Sequence, residues 1–482
     1  MSDKSKPSNI IFFSVLLVFA IRLISFFIYD VYDDAFITFR YAQNLASGNG
    51  LVYNPGEYIL GTTSPLFAII IALLYKIGLP IPESSVILNI IFDSLTVFIV
   101  SKLFIQNRRI IELGIFLFVF SGSVLISRIT SGGMEVNLFL LLSVFAIILY
   151  TKDKKIFAFI LCSLTYFVRP EAISLLFILF LNEIISKQYK RAIVLAIISI
   201  VTVSIPLFFI YHTYGNILPQ SVLAKSELTG GSIYELINMF FLRDPISIIT
   251  LPFALIGFTR INKTEPFLNI FGYWILMLII SYLLIRPHPW PWYGFVIRAG
   301  LALFSGVGFV YILSYFKTIA NFLNFEKIFF VSVIIALSAN FATGHFQGLK
   351  PVTKNIFYPL KDWTKTNKTS DKKLIADDIG IIGYHFEGYI YDTQGLVSSR
   401  FVKKNDRFDF FKTTQADFLF LNSNQENAEL MFNTDLSNLY HPIARFSKSG
   451  DKEISLNTKD YPQGWIQDYI CLLYTSPSPR DS

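Results

Sequence analysis

Cysteine and charge are both scarce in this chain of 482 residues. The two cysteines, Cys162 and Cys471, cannot build a disulfide framework or a cysteine-based metal site. Charged residues make up 16% of the sequence, whereas hydrophobic residues make up 53%. A water-soluble protein of this length could not bury so much apolar surface, so the composition predicts a mainly α-helical, polytopic membrane protein.

Motifs for nucleotide and hydrolase chemistry are also absent. The sequence has no Walker loop, no dinucleotide fingerprint, no HExxH and no GxSxG in a usable context. The net charge of +7 is carried mostly by short basic clusters between apolar runs, which is typical of cytoplasmic loops in membrane proteins. We therefore expect no nucleic-acid partner and no cytoplasmic nucleotide-sugar chemistry.

The two ends of the chain carry separate signals. The N-terminal stretch MSDKSKPSN has no small-residue cleavage site, so the first apolar run is predicted to be an uncleaved span. The last segment, CLLYTSPSPRDS at 471–482, resembles the translation of a sequencing-library transposase adapter. It is set aside from the fold, and the natural chain is expected to be cut near Ile470.

Long apolar runs predict about eleven transmembrane helices. They lie near residues 10–28, 84–101, 110–127, 133–150, 156–169, 171–185, 192–211, 246–259, 266–285, 296–315 and 328–343. A further run, 64–78, is predicted to stay outside as a juxtamembrane or re-entrant element, because counting it as a span would place every later basic cluster outside. An alternative is that 156–185 forms one long span, kinked at Arg169 and Pro170.

The composition changes after residue 345. Lysine and aspartate become frequent, long apolar runs end, and short β-type runs alternate with turn residues in 373–396 and 415–423. The sequence therefore predicts a transmembrane catalytic domain at 1–344 and a small extracytoplasmic α/β domain, truncated, at 345–470.

The most polar passage near the first span is Asp33–Leu66. It begins with two adjacent carboxylates, Asp33 and Asp34, and continues as a predicted amphipathic helix over 35–47 that ends at Gly48. One carboxylate could simply cap this helix. The other could act as general base on an acceptor hydroxyl, made more basic by burial and by its like-charged neighbour.

Cationic side chains from later loops are expected on the same outer face: Lys225, Arg286, His288 and Arg298. Clustered cations there suit a lipid-linked phosphate, which must be bound and then stabilised as it leaves. The alternative for each residue is that its side chain snorkels to the membrane interface.

Further residues are predicted to line the substrate cavity: Arg40, Tyr41, Glu57, Thr63, Glu135, Arg169, Glu171, Trp292 and Tyr293. Polar groups near membrane depth are costly and usually face a cavity. For Glu135, Arg169 and Glu171, an ion pair between helices is an equal alternative. The aromatic residues could stack on a sugar or belong to the interfacial belt.

Several strings, taken in order, resemble GT-C membrane glycosyltransferases. They are DDAFITFRYAQNLASGNGLVYNPGEYILGTTSPL, SGGMEVNLFLLL, VRPEAISLL, YHTYGNILPQSVLAK and DDIGIIGYHFEGYIYDTQGL. The resemblance is strongest to the mycobacterial terminal β-(1→2) arabinofuranosyltransferases. Protein O-mannosyltransferases and the lipid A aminoarabinose transferase are more distant. The resemblance covers nearly the whole chain, although RPHPWPWYG matches only loosely.

The resemblance implies a GT-C fold and inverting transfer from a polyprenyl-phosphate sugar to a cell-envelope glycan or glycolipid. It places the active site on the extracytoplasmic face of a bacterial plasma membrane. The base is an aspartate of the first external loop, and Asp33 is favoured over Asp34. No cofactor is certain, no metal ligand is predicted, and use of a divalent cation stays open. The alternatives are a protein O-mannosyltransferase-like enzyme, a lipid-linked sugar flippase and a non-catalytic scaffold.

Overall fold

In the computed structural model the chain forms two units, and each unit contains residues from distant parts of the sequence. The structure describes residues 7–227, 230–316, 325–347, 349–398, 406–422, 434–450 and 468–474. One unit, here called the helical unit, comprises Met1–Tyr29, Glu83–Phe209 and Leu228–Leu349. The other, the sheet unit, comprises Asp30–Pro82, Ile210–Glu227 and Lys350–Ser482. The first loop therefore groups with C-terminal residues.

Helices account for most of the described chain. In chain order they are α1 (Pro7–Ile28), α2 (Asp33–Ala46), α3 (Pro65–Lys76), α4 (Ile81–Gln106), α5 (Ile110–Gly122), α6 (Val124–Ser131), α7 (Val136–Thr151), α8 (Lys155–Thr165), α9 (Ala172–Ile185), α10 (Tyr189–Tyr214), α11 (Gln220–Glu227), α12 (Ile233–Ile237), α13 (Pro245–Phe258), α14 (Pro266–Ile285), α15 (Phe295–Leu313), α16 (Phe325–Gln347), α17 (Tyr358–Thr366), α18 (Ile381–His385), α19 (Arg407–Thr414) and α20 (Thr434–Ser437). Every predicted apolar run coincides with a helix.

Many of these helices can cross a membrane. Within the described residues, six helical segments are long and apolar enough, or eight if two sharply bent helix pairs each count as one span. The chain is therefore a multi-pass membrane protein. The predicted total of about eleven crossings stays a prediction, because α7, α8 and α9 have only 16, 11 and 14 residues, whereas a bilayer asks for about 20.

Two local predictions about spans can be compared with these helices. The run 64–78 is α3, whose 12 residues reach about 18 Å at 1.5 Å per residue, short of a hydrocarbon core of about 30 Å. That length agrees with an element that does not cross. The run 156–185 is α8 and α9, which are separated by residues 166–171 and pack against each other. The alternative of one long kinked span over 156–185 is therefore wrong, because two separate helices lie there.

A buried ion pair joins α1 to α4 in the helical unit. Arg22 and Asp93 have no exposed surface, and their Nε and Oδ2 atoms lie 2.9 Å apart. The two side chains also form hydrogen bonds with Ser127, the carbonyl of Phe120, Thr130 and Asn137. The Phe120 carbonyl belongs to the last turn of α5, where the helix leaves carbonyl groups without a partner. Arg22 thus satisfies the backbone beside the α5–α6 bend, which measures 61°.

The sheet unit contains a five-stranded sheet in the order β2-β1-β3-β5-β4. Its strands are β1 (Lys373–Ala376), β2 (Tyr389–Asp392), β3 (Phe418–Asn422), β4 (Tyr440–Ser447) and β5 (Asp468–Tyr474). β1 pairs in parallel with β2 and β3, whereas β5 pairs antiparallel with β3 and β4. Every residue of the central strand β3 is buried, which explains why its first four residues are all apolar. The predicted C-terminal α/β fold is confirmed.

Strand β5 includes residues that the sequence prediction sets aside. Its residues 471–474 pair with β3 or β4, and Cys471 and Leu472 are buried in the sheet. Strand β5 lies between β3 and β4, so residues 471–474 are part of the sheet. The prediction that they lie outside the fold is therefore wrong. Their origin in an adapter stays a prediction, and 475–482 lie outside the described residues.

Candidate active site in the sheet unit

The helix α2 carries the two adjacent carboxylates in its first turn. It spans Asp33–Ala46, which confirms the predicted helix, and its inward face is buried as the amphipathic pattern indicates. The N-cap position is occupied by Tyr32, and no side chain caps the helix. The interpretation of Asp33 or Asp34 as the cap is therefore wrong, because both lie inside the helix.

Asp33 turns its carboxylate toward the segment that follows β1. Its Oδ1 accepts a hydrogen bond from the N–H of Ile381 at 2.8 Å, and its Oδ2 accepts one from Gly380 at 3.2 Å. Burial raises the pKa of Asp33 to about 6; the charge of Asp34 acts in the same direction, and the two N–H groups oppose it. A carboxyl group with this pKa is ionised at neutral pH and is still a useful proton acceptor.

Asp34 lies beside Lys225, one of the predicted phosphate-binding cations. The Oδ2 and Nζ atoms are 3.7 Å apart, and the side chains are 29% and 34% exposed. Helix α11, which carries Lys225, is held to the first loop by a hydrogen bond of 2.7 Å from the N–H of Gln220 to the carbonyl of Leu60. The structure thus brings together two carboxylates and a solvent-accessible cation.

Arg40 of α2 is buried and connects the first loop to the C-terminal residues. Its guanidinium donates to the backbone carbonyls of Tyr53, Gly383, Phe386 and Gly388. Its side chain also lies over the ring of Tyr53, with 4.6 Å from Cζ to the ring centroid. These contacts give Arg40 a structural role in this unit, and its predicted role in lining the substrate cavity stays a prediction.

The other cavity residues predicted in this unit also have internal partners. The hydroxyl of Tyr41 accepts a hydrogen bond of 2.6 Å from the N–H of Gly61. Glu57 accepts one of 2.9 Å from the hydroxyl of Tyr389 on β2. Thr63 is half-buried in the turn before α3. Contact of these residues with substrate stays a prediction.

Sequence reasoning missed the acidic turn after β1. The carboxyl group of Asp378 accepts a hydrogen bond of 3.2 Å from the amide of Asn422, the last residue of β3. Burial raises the pKa of Asp378 well above its usual range, with the charge of Asp33 as the second cause. The available signal was the pair Asp377–Asp378 directly after an apolar strand. Among the residues that the structure describes, no group of three or more His, Cys, Asp or Glu side chains could hold a metal ion.

Arg169 forms ion pairs with both predicted glutamates in the helical unit. Its guanidinium lies 2.5 Å from Glu135 and 2.6 Å from Glu171. Glu171 also accepts a hydrogen bond of 3.0 Å from the hydroxyl of Tyr282, and the ring of Tyr293 lies 5.5 Å from the guanidinium. The ion-pair alternative is confirmed for these residues, whereas a role in the substrate cavity stays a prediction.

The remaining cations predicted to bind phosphate also belong to the helical unit. Arg298 is buried, and its guanidinium donates to a backbone carbonyl of the turn after α12. Arg286 is exposed at the end of α14, and the ring of His288 lies 4.6 Å from that of Trp290. The rings of Trp290 and Trp292 stack in parallel, 5.2 Å apart. Phosphate binding by these side chains stays a prediction.

Solved structures resemble the chain over nearly its whole length. ArnT from Cupriavidus metallidurans bound to undecaprenyl phosphate matches with a TM-score of 0.62 and 9% identity, over 96% of this chain and 99% of that one. The apo form of the same ArnT matches with a TM-score of 0.61 and 10% identity, over 87% and 94%. The Archaeoglobus fulgidus oligosaccharyltransferase in complex with Zn and sulfate matches with a TM-score of 0.54 and 10% identity, over 97% and 75%.

Sequence comparisons are less informative about this chain than the structural ones. A family described as a domain of unknown function, DUF8728, matches residues 350–466, and no curated protein matches the chain. Because ArnT and oligosaccharyltransferase are GT-C glycosyltransferases, the structural likeness confirms the predicted GT-C fold. At this level of identity the likeness concerns the fold alone.

Proposed function

We propose that the protein is an inverting glycosyltransferase that takes its sugar from a polyprenyl-phosphate donor. The observation that carries this proposal is the grouping of Asp33, Asp34 and Lys225, in which a carboxyl group of raised pKa adjoins a solvent-accessible carboxylate–lysine contact. The GT-C fold supports a lipid-linked donor, since the similar ArnT structure contains bound undecaprenyl phosphate.

In the proposed reaction, Asp33 removes the proton from an acceptor hydroxyl. The acceptor oxygen attacks the anomeric carbon from the side opposite the phosphate, and the bond from that carbon to the phosphate oxygen breaks. The sugar is transferred with inversion, and polyprenyl phosphate leaves as the anion. Lys225 binds the donor phosphate and stabilises its charge as it leaves, because such stabilisation is the largest catalytic term for anionic leaving groups. The proton on Asp33 then returns to solvent.

The proposal extends to location and acceptor. We infer a bacterial plasma membrane protein in which Asp33 and residues 345–470 lie on the extracytoplasmic face and 1–344 form the catalytic transmembrane domain. The distribution of basic clusters in the sequence supports that orientation. The acceptor is a cell-envelope glycan or glycolipid, and the sequence resemblance favours an arabinofuranosyl donor.

The test is a transfer assay with purified full-length protein. It uses radiolabelled polyprenyl-phosphate sugars, arabinofuranose among them, with membrane glycan acceptors, and it measures label in the acceptor. We expect transfer by the wild type and by Asp371→Ala, which removes an exposed aspartate of the same unit, and none by Asp33→Ala. Near-normal transfer in Asp33→Ala would overturn the assignment. Movement of the donor across vesicles without transfer would identify a flippase.

A further inference from the structure

The carboxyl ends of the three parallel strands carry polar side chains. Asp377 and Asp378 follow β1, Asp392 ends β2, and Asn422 ends β3. In open sheets with parallel strands, function concentrates in the crevice outside these ends. This edge of the sheet is therefore a place where the C-terminal residues could act in a reaction.

Asp33 lies against this edge. Its two carboxylate oxygens accept the N–H groups of Ile381 and Gly380, at 2.8 Å and 3.2 Å. A methyl group at position 380 would overlap both the carboxylate and the backbone oxygen of Asp33, so the approach requires glycine there. The contact is thus close and two-pronged, and it fixes the direction in which the carboxylate points.

The ionisable groups around Asp33 can be named for the described residues. Those that interact with it directly are Asp34, Tyr53, Asp378 and Tyr469. Lys225 reaches Asp34 from α11. Tyr469 of β5 also forms a side-chain hydrogen bond with Asp378. Acidic and phenolic groups dominate, so the two N–H groups are needed to stabilise the ionised form of Asp33.

We propose that the segment Asp378–Ile381 is a positioning element of the active site, in which the N–H groups of Gly380 and Ile381 orient Asp33 and set its basicity. This inference rests on the proposed transferase function. It deepens that proposal by giving a role in the reaction to a segment of residues 350–466, which match a domain of unknown function. Hydrogen bonds from backbone N–H groups favour the ionised form of a carboxyl group. Removing one of them should therefore raise the pH at which Asp33 loses its proton.

The substitution Ile381→Pro deletes one of these donors. Ile381 is the first residue of α18, where proline is tolerated because its N–H takes no part in the helix. The matched control, Ile381→Ala, keeps the N–H and removes more of the buried side chain than proline does. Full-length wild type and both variants are assayed for kcat/KM across pH, since its acid limb reports ionisation of the free enzyme's base.

We expect an acid limb near pH 6 in the wild type and in Ile381→Ala. In Ile381→Pro we expect the limb to move upward by about one pH unit, while the plateau at high pH is largely retained. No movement in Ile381→Pro would overturn the proposal. An equal movement in both variants would overturn it too, because packing alone would then explain the effect.

A second measurement does not need transfer activity. The pKa of Asp33 is higher in the folded protein than its ordinary value of 3.8, so the folded state binds the proton more tightly, and stability relative to Asp33→Asn is lost as pH rises through about 6. Thermal unfolding measured across pH should show this loss ending near pH 6 in the wild type and at a higher pH in Ile381→Pro. If the wild type transfers no sugar but the loss of stability still extends to higher pH in Ile381→Pro, the transferase proposal fails. The inference that Gly380 and Ile381 position Asp33 then stands.

Discussion

Each unit holds a buried or half-buried aspartate, but the two settings differ. Asp93 in the helical unit has no exposed surface and is bonded to Arg22, Thr130 and Asn137. Asp33 in the sheet unit is half-buried and is held by two N–H groups beside a like charge. A buried charge whose partners are all supplied internally is costly to disrupt, whereas one poised near neutral pH can exchange a proton.

The two units also differ in how their distant segments are joined. In the helical unit one network around Arg22 joins α1, α4 and the bent α5–α6 pair. In the sheet unit the first loop is joined to the C-terminal residues by connected hydrogen bonds. Arg40, Tyr53 and Asn54 donate to backbone carbonyls there, and Glu57 accepts from Tyr389. We therefore expect loss of the buried charge partner to destabilise the helical unit more than loss of one hydrogen bond destabilises the sheet unit.

The largest expected effect is on catalysis at Asp33. The substitution Asp33→Asn keeps the size of the side chain but removes the proton acceptor, so kcat should fall by about 10²- to 10⁴-fold. The melting temperature of the purified protein should not fall by much, since the amide oxygen can still accept a hydrogen bond from Ile381 and the cost of a buried charge is removed. A large fall in melting temperature with normal turnover per folded molecule would show that Asp33, like Asp93, acts in the fold and not in the reaction.

The next effect is on folding at Asp93. The substitution Asp93→Ala leaves the Arg22 guanidinium buried without its counter-charge, which costs about 3–5 kcal/mol. Thermal unfolding in detergent should show this loss, while the transfer rate per folded molecule stays near that of the wild type. Adding Arg22→Leu removes the uncompensated charge and should recover part of the stability. If the double variant is less stable than Asp93→Ala, the ion pair is not the cause of the loss.

A smaller effect is expected on donor binding at Lys225. The substitution Lys225→Gln removes a charge that would contact phosphate, which costs about 1.5–3 kcal/mol and corresponds to a rise of about 10- to 100-fold in the KM for the donor. Lys354→Gln, which removes an exposed lysine of the same unit, serves as the control and should leave the KM unchanged. A rise in the KM for the acceptor instead would place Lys225 at the acceptor.

The sequence predicted most of the helices because their signal is local. Apolar runs mark the long apolar helices directly, and the amphipathic pattern after Asp34 predicts α2. The short helices α11 and α12 lie outside the predicted runs. The number of crossings was harder to predict, since α7, α8 and α9 are shorter than a bilayer requires. Length alone does not decide whether a short apolar helix crosses.

The contacts of Asp33 could not be predicted, because they depend on residues almost 350 positions away. A helix cap was the simplest use for an aspartate at this place, and the structure uses it instead to bind Gly380 and Ile381. The same holds for Arg40, whose partners Gly383, Phe386 and Gly388 are backbone carbonyls and leave no trace in side-chain patterns. Tertiary hydrogen bonds to the backbone are invisible to motif reading.

The smallest expected effect tests the contribution of one hydrogen bond between the first loop and strand β2 of the sheet unit. Tyr389→Phe removes the hydroxyl that donates to Glu57 at 2.9 Å and should cost about 0.5–1.5 kcal/mol of stability. Tyr391→Phe on the same strand is the matched control, because its hydroxyl makes no hydrogen bond to any residue that the structure describes. Thermal unfolding should separate the two variants by a few degrees, with turnover per folded molecule unchanged in both. A loss as large as that of Asp93→Ala would show that one hydrogen bond matters as much to the sheet unit as the buried ion pair does to the helical unit, and the contrast between the units would then fail.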